Sequence, residues 1–395
     1  MRILVTDSDN RSALAATRAL GKRGHTVFTA GERHPSLASV SKYSAGFDKY
    51  ASPYTAPERF IADVSRILQE RSIDVIMPMT EITTLLVTEH QQLFPAHVRV
   101  PFPPASVVAA AANKAHVIRL AQRIGVPTPK TEIVERASGL GSMAASLSYP
   151  VVLKPARSRV WSEDRWLSTS VSYAHSREEL QAKLTQLPEA LFPVLLQERI
   201  EGPGVGVFIC CDEASVIARF SHRRIREKPP SGGVSVLAES IPVDPVALDH
   251  ATRLLRELQW RGVAMVEFKQ DNRDGSLRLM EINGRFWGSL QLAIDAGVDF
   301  PSLAADLAVG ARPTPVENYR IGVRTRWFWG DVDAMIALLL RSPARLNLPP
   351  SHPGRWRTLA EFLRFWQAGT RYEVARAEDI RPWLLETKRW LFGRS

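Results

Sequence analysis

Residues 2–78 alternate β-type and helix-type patterns, and this alternation constrains the fold more than any other feature. Arg2–Thr6 is a short β-type run. Ser12–Lys22 has helical apolar spacing that Gly24 stops, and His25–Ala30 is again β-type. Phe60–Arg71 and Asp74–Pro78 repeat the helix and the strand. Strands separated by helices predict a parallel sheet. Residues 1 to about 100 are therefore expected to form a Rossmann-like unit. Its first turn, Thr6–Ser12, contains no glycine and carries Asp7 and Asp9. A pyrophosphate would find neither close backbone nor favourable charge there, which argues against nicotinamide dinucleotide binding.

The rest of the chain continues the mixture. Pro101–Pro104 reads as a connector, and Asn113 can cap a helix that ends near Ile124. Val151–Pro155 is a buried-type strand with Lys154 near its end. Val194–Ile200 and Gly206–Cys211 also read as strands, and Gln291–Gly310 as helical in part. Hydrophobic residues make up 45% and charged residues 23%, which excludes a wholly disordered chain. No apolar run approaches the ~18 residues of a membrane span, and Met1–Val5 reads as a strand rather than a signal peptide. The two cysteines, Cys210 and Cys211, are neighbours that face opposite sides of a strand. They suit neither a mutual disulfide nor a zinc site, so a reduced, cytoplasmic setting is expected.

The chemistry concentrates in a hairpin. Val263–Lys269 and Ser276–Asn283 flank Asp271-Asn272-Arg273-Asp274-Gly275, a strong turn signal. A centre at Asp274 sets Glu267 opposite Glu281 and Met265 opposite Asn283. Alternation then puts Glu267, Glu281 and Asn283 on one face, with Arg285 following. Facing carboxylates are unfavourable without a cation or proton between them. Hard oxygens in this array suit magnesium bridging a polyphosphate, and Arg285 could reach developing negative charge. A solvated face of ordinary charges is the plainer alternative. Lys154 reads either as a phosphate contact or as a lysine reaching solvent from a strand end. Lys114 opposes the dipole of the helix it begins; it reads as ordinary surface charge, or as the contact of an anionic ligand there. Glu81, beyond the end of a parallel strand, reads equally as an amine contact and as a favourable charge at a helix start.

Taken in order, Lys114, Lys154, Gln197-Glu198-Arg199-Ile200-Glu201-Gly202, Glu267 and Glu281-Ile282-Asn283-Gly284-Arg285 resemble the ATP-grasp superfamily. The likeness is to its carboxylate–amine ligase and carbamoyl-phosphate-synthase-like branch, and it covers about residues 1–312. The resemblance implies an α/β and α+β chain: a Rossmann-like preATP-grasp domain (1–104), then a two-lobed ATP-grasp domain (105–312, lobes about 113–190 and 191–312). It implies ATP and one or two magnesium ions, or manganese in their place, as cofactors. Lys114 and Lys154 would contact phosphates, Glu198 and Ile200 the adenine through an interlobe strand, and Glu201 the ribose. Glu267, Glu281 and Asn283 would hold the metal, and Arg285 would steady an acyl phosphate. Homodimers are the usual state of this architecture.

The sequence departs from the superfamily pattern where a glycine-rich phosphate loop is common. Ala156–Asp164 instead offers Arg157, Arg159 and serine hydroxyls, as phosphate contacts or as a basic surface loop. Ser221–Gly233 resembles the basic segment lining the acid pocket of biotin-carboxylase-like relatives. Strand alternation would put His222, Arg224 and Arg226 on one face toward a substrate carboxylate or the transferred phosphate, with Gly232-Gly233 as a mobile loop. A solvated basic face is the plainer alternative; no aromatic residue interleaves this run, so nucleic acid is not the expected partner.

The region 313–395 supplies 14 basic and 8 acidic residues and six of the ten tryptophans, so +6 of the +10 charge lies there. Thr358–Gln367 and Pro382–Phe392 read as amphipathic helices. They suit either a membrane-surface or partner contact, or packing back onto the core. The overall expectation is a ligase that activates a small-molecule carboxylate with Mg-ATP for attack by an amine or similar nucleophile. Bicarbonate activation, or nucleotide binding without turnover, are the alternatives.

Overall fold

A computed structural model describes residues 1–139, 148–162, 165–168, 171–212, 215–230, 233–341, 346, 348, 354–364 and 369–393. The N-terminal unit runs β1 (Arg2–Val5), α1 (Arg11–Lys22), β2 (Thr26–Gly31), β3 (Ser44–Lys49), α2 (Pro57–Glu70), β4 (Val75–Met77) and α3 (Glu81–Glu89). Its sheet has the order β3-β2-β1-β4 with every pairing parallel, as the strand–helix rhythm requires. Strand β3 was not legible in the sequence, because Ser44–Lys49 has only one buried-type side chain, Phe47. The helix α4 (Ala105–Ala112) leads into the next unit.

The first lobe contains α5 (Lys114–Arg123), β5 (Thr131–Val134), β6 (Val151–Pro155), β7 (Arg159–Ser162), β8 (Arg165–Ser168), β9 (Ser172–Ala174), α6 (Arg177–Gln186) and β10 (Val194–Glu198). Asn113 caps α5, its side chain accepting from the His116 N–H at 3.2 Å. The antiparallel sheet β5-β10-β6-β9 packs Val151, Leu153, Val194 and Leu196 on Leu180 and Leu184 of α6. The β7–β8 hairpin stands apart from that sheet.

The second lobe contains β11 (Gly204–Asp212), β12 (Ser215–Lys228), β13 (Val234–Ile241), α7 (Pro245–Glu257), β14 (Gly262–Gln270), β15 (Leu277–Asn283), α8 (Leu290–Ala296) and α9 (Phe300–Ala308). The link between the lobes is pinned at Gly202, where φ is +152° and a Cβ would run into the Gln270 carbonyl oxygen.

The C-terminal region is largely helical, yet it also completes the larger sheet. Strand β16 (Arg324–Arg326) adds to β13, and β17 (Thr370–Tyr372) adds parallel to β16, giving β15-β14-β11-β12-β13-β16-β17. Helix α10 (Phe328–Leu340) lies beside β12 and β13, and two further helices span Arg355–Phe362 and Arg381–Phe392. The region folds back on the core. Buried Arg18 of α1 donates to the Asp379 carboxylate at 2.8 Å and to the carbonyls of Glu373 and Val374. Trp390 stacks on Trp329 with centroids 4.1 Å apart. Phe365 and Trp366, expected on an apolar face, lie outside the described residues, as do Glu163, Asp164 and Gly232. Among the described residues no helix is long and apolar enough to cross a membrane.

Candidate active site

Strands β14 and β15 place Glu267 opposite Glu281 and Met265 opposite Asn283. A bulge at Met280 then shifts the pairing, so Phe268 meets Leu279. The end of β15 is held by Gly284, where a Cβ would collide with the fully buried Trp260 ring. From there the Asn283 amide donates to Glu281 Oε1 at 2.9 Å, and Arg285 donates to Asn283 Oδ1 at 3.3 Å.

Three cations from other elements face these oxygens. Lys114, at the first position of α5, lies 3.6 Å from Glu281 Oε2 and donates to the Ser158 hydroxyl at 2.9 Å. Arg224 on β12 donates to Glu267 at 3.2 Å and to Glu227 at 3.1 Å. Lys154 near the end of β6 makes no hydrogen bond or ion pair through its ammonium among the described residues. Burial pulls the Lys154 pKa down, with Glu281 opposing. Burial pushes the Glu267 carboxyl up, Arg224 pulls it back, and the Glu281 charge raises it again. Burial also acts upward on Glu281, but Lys114, the Asn283 hydrogen bond, Lys154 and Arg285 outweigh it, and its pKa falls. The site thus holds two apposed carboxylates and a desolvated, unpartnered ammonium, each stabilised by an added ion of opposite sign.

Glu281, Asn283, Arg285, Lys114 and Ser158 border a small cavity of about 20 Å³, which Glu81 at the start of α3 also lines. The donor set suits the expected cofactor. Two carboxylates and an amide oxygen are hard ligands for magnesium, and lysines beside them suit phosphate oxygens. Among the described residues no group of three or more His, Cys, Asp or Glu is gathered as a metal site, here or elsewhere, so the donor set amounts to two carboxylates and one amide oxygen.

Several expected residues are placed differently. Strand alternation breaks at Ile225, where a bulge between Arg224 and Arg226 turns Arg226 to the opposite face. There it forms a bidentate pair with the buried Asp331 of α10, which also binds Arg326, so Arg226 does not face Glu267. His222 shares the face of Arg224 but is 5% exposed, stacked on Phe208 and hydrogen-bonded to the Ser289 hydroxyl at 2.8 Å. Burial and the Arg224 charge pull its pKa to about 3, so it is a neutral core group rather than an anion-binding cation. Arg157 and Arg159 do not border the small cavity. Arg159 lies over the Tyr54 ring of the N-terminal unit, 4.9 Å from its centroid, and both arginines line a separate, larger cavity. Of that segment it is Ser158 that reaches the lysine cluster.

The interlobe residues are held by structural bonds. β10 ends at Glu198, so Ile200 sits in the connection rather than on the strand. The Glu198 carboxylate accepts from the Lys130 N–H and from Arg273. The Ile200 carbonyl accepts from Lys269 at 3.1 Å. Glu201 is 68% exposed beside Arg199. Lys269 escaped sequence reading. Its signal was the alternation with Glu267 that puts both on one strand face. Asp331 lies about a hundred residues from Arg226, and no local pattern announces that pair.

A family described as "ATP-grasp in the biosynthetic pathway with Ter operon" matches residues 191–328. The chain is 28% identical over 220 residues to the vancomycin B-type resistance protein VanB of Enterococcus faecalis, covering 50% of this chain and 61% of that protein. It is 22% identical over 242 residues to a D-aspartate ligase of Enterococcus faecium, covering 57% and 58%. The chain therefore spans about three fifths of the length of these relatives. Among solved structures, a biotin carboxylase from Campylobacter jejuni in a β,γ-ATP complex superposes with a TM-score of 0.65 at 15% identity, over 82% of this chain and 74% of that one. Residues 191–328 thus match an ATP-grasp family model, and the chain has the ATP-grasp fold of that solved structure.

Proposed function

We propose that the protein is an ADP-forming ligase that activates a substrate carboxylate as an acyl phosphate and joins it to an amine. The observation that carries this reading is the meeting of Lys114 and Lys154 with the Glu267, Glu281 and Asn283 oxygens beside Arg285. The relative named a D-aspartate ligase supports the reaction class.

In this reading Glu267, Glu281 and Asn283 hold one or two magnesium ions, and Lys114 and Lys154 hold phosphate oxygens. Bound magnesium supplies neutralising charge at the transferring phosphoryl group. The barrier is repulsion between a carboxylate and a polyphosphate, and the lysines and Arg285 lower it by fixing position and offsetting charge. Ser158 orients Lys114, and Glu227 and Glu267 orient Arg224 toward the same oxygens. Glu198, Ile200 and Glu201 flank the adenosine end. The preATP-grasp domain ends near residue 104, and the grasp domain near 312.

The atoms balance in two steps. A carboxylate oxygen bonds to the γ-phosphorus as the bond to the ADP oxygen breaks. The amine nitrogen then bonds to the acyl carbon as phosphate leaves, and the nitrogen gives up a proton. The test is ADP release screened across carboxylates, with and without amines, at fixed magnesium. Release that needs both an acid and an amine is expected. Release sustained by bicarbonate alone, or nucleotide uptake with no ADP from any mixture, would refute the reading.

A further inference from the structure

A second cavity, of about 340 Å³, lies between the β7–β8 hairpin and helices α3 and α4. This is within the ~300–1,000 Å³ range of small-molecule sites. It adjoins the small cavity: Glu81, Leu85 and Ala112 border both. Its hairpin wall is built rather than loose. Trp161 and Trp166 pack edge to face at 5.4 Å, and the Trp166 indole N–H donates to the Pro53 carbonyl of the N-terminal unit at 3.0 Å.

The wall chemistry is two-sided. Trp161, Trp166, Val160 and Leu85 give it aromatic and aliphatic surface. Glu58, Glu81 and Glu89 give it three carboxylates, none with a hydrogen bond or ion pair through its side chain among the described residues. Arg157 and Arg159 also line the cavity and keep their charge, Arg159 lying over the Tyr54 ring. The three carboxylates still outnumber the two guanidiniums, so the wall favours a cation over an anion. A cation with a ring-sized apolar body would find both the charge and the aromatic faces it favours.

We infer that this cavity binds the amine substrate, and that the substrate is an organic ammonium carrying an apolar body about the size of an aromatic ring. Its nitrogen lies toward Glu81, the residue shared with the phosphate-facing cavity, and its body lies between the hairpin tryptophans and α4. This rests on the ligase reading for its role, but its binding chemistry can be tested separately.

The experiment is ligand-observed NMR on the full chain with three probes, 2-phenylethylamine, ethylamine and 3-phenylpropionate, and Mg-ADP titrated in parallel. 2-Phenylethylamine is expected to bind at least tenfold more tightly than either other probe. Ala109→Phe, which fills the cavity from α4, should weaken it at least tenfold without changing Mg-ADP affinity. Trp161→Ala, at a solvent-facing position of the wall, should weaken it at least threefold and covers the case in which the larger side chain disturbs the fold. Equal binding of the three probes, or 2-phenylethylamine binding that ignores both substitutions, would overturn the inference. Failure of the wild type to take up Mg-ADP would instead strike the ligase reading, and leaves the probe ranking readable.

Discussion

Glu281→Gln separates the charge of the candidate site from its shape. The Glu281 carboxylate lies 3.6 Å from Lys114 Nζ, with the two side chains 33% and 14% exposed. At an effective dielectric near 20 such a pair is worth about 4–5 kcal/mol. Residual solvent reduces that to about 2 kcal/mol. In the proposed ligase, loss of an anionic oxygen ligand to magnesium adds a cost of similar size. Together these make a loss of roughly 3–4 kcal/mol, and at about 1.4 kcal/mol per tenfold in rate they predict ADP formation slowed about 10²–10³-fold. The fold should hardly respond. The substituted amide keeps an oxygen within reach of the Asn283 donor. Removal of the charge relieves the opposition to Glu267 while it deprives Lys114 and Lys154 of a partner, and the two effects oppose each other. Urea unfolding should therefore shift by less than about 1 kcal/mol. A variant that turns over within threefold of wild type, with an unchanged urea midpoint, would refute the reasoning.

Other consequences concern neighbouring groups. Lys114→Met should weaken Mg-ADP binding at least tenfold by calorimetry, whereas Arg226→Met should leave it within twofold, because Arg226 is spent on Asp331. Asp379→Ala should cost about 3–5 kcal/mol in denaturant unfolding, since it strands the buried Arg18 guanidinium. Burial pushes the Glu386 carboxyl up to about 7, against a hydrogen bond from Trp327. Its folded pKa exceeds its unfolded one, so the folded state binds the extra proton, and stability should fall as pH rises from about 4.5 to about 7. Glu386→Gln should flatten that part of the stability profile, and an unchanged slope would locate the dependence elsewhere.

Strands β1, β2 and β4 of the N-terminal sheet, the β14–β15 register at Glu267 and Glu281, and the Asn113 cap were legible because each depends on local periodicity or on one turn. Their physics acts over a few residues, and alternation carries side-chain direction with it. The bulge at Ile225 was not legible, since nothing in Arg224-Ile225-Arg226 distinguishes a regular strand from an interrupted one. It moved Arg226 from the expected anion site to a structural pair. His222 differs from expectation for a related reason: alternation gives its strand face, but only packing shows that Phe208 and Ser289 enclose the ring.

The sequence by itself determined the strand–helix alternation of the N-terminal unit and which side chains share the acidic face of the hairpin, because those follow from residue type and spacing. It also determined that lysines, acids and Arg285 occur in an order that suits phosphate chemistry. Tertiary structure alone decided which cations face those acids, and where the C-terminal region goes. It also turned Arg157 and Arg159 away from the lysine cluster and opened the tryptophan-walled cavity beside Glu81. Those outcomes depend on contacts between segments far apart in the chain, whose closure is set by burial and charge pairing across the whole fold and leaves no trace in local pattern.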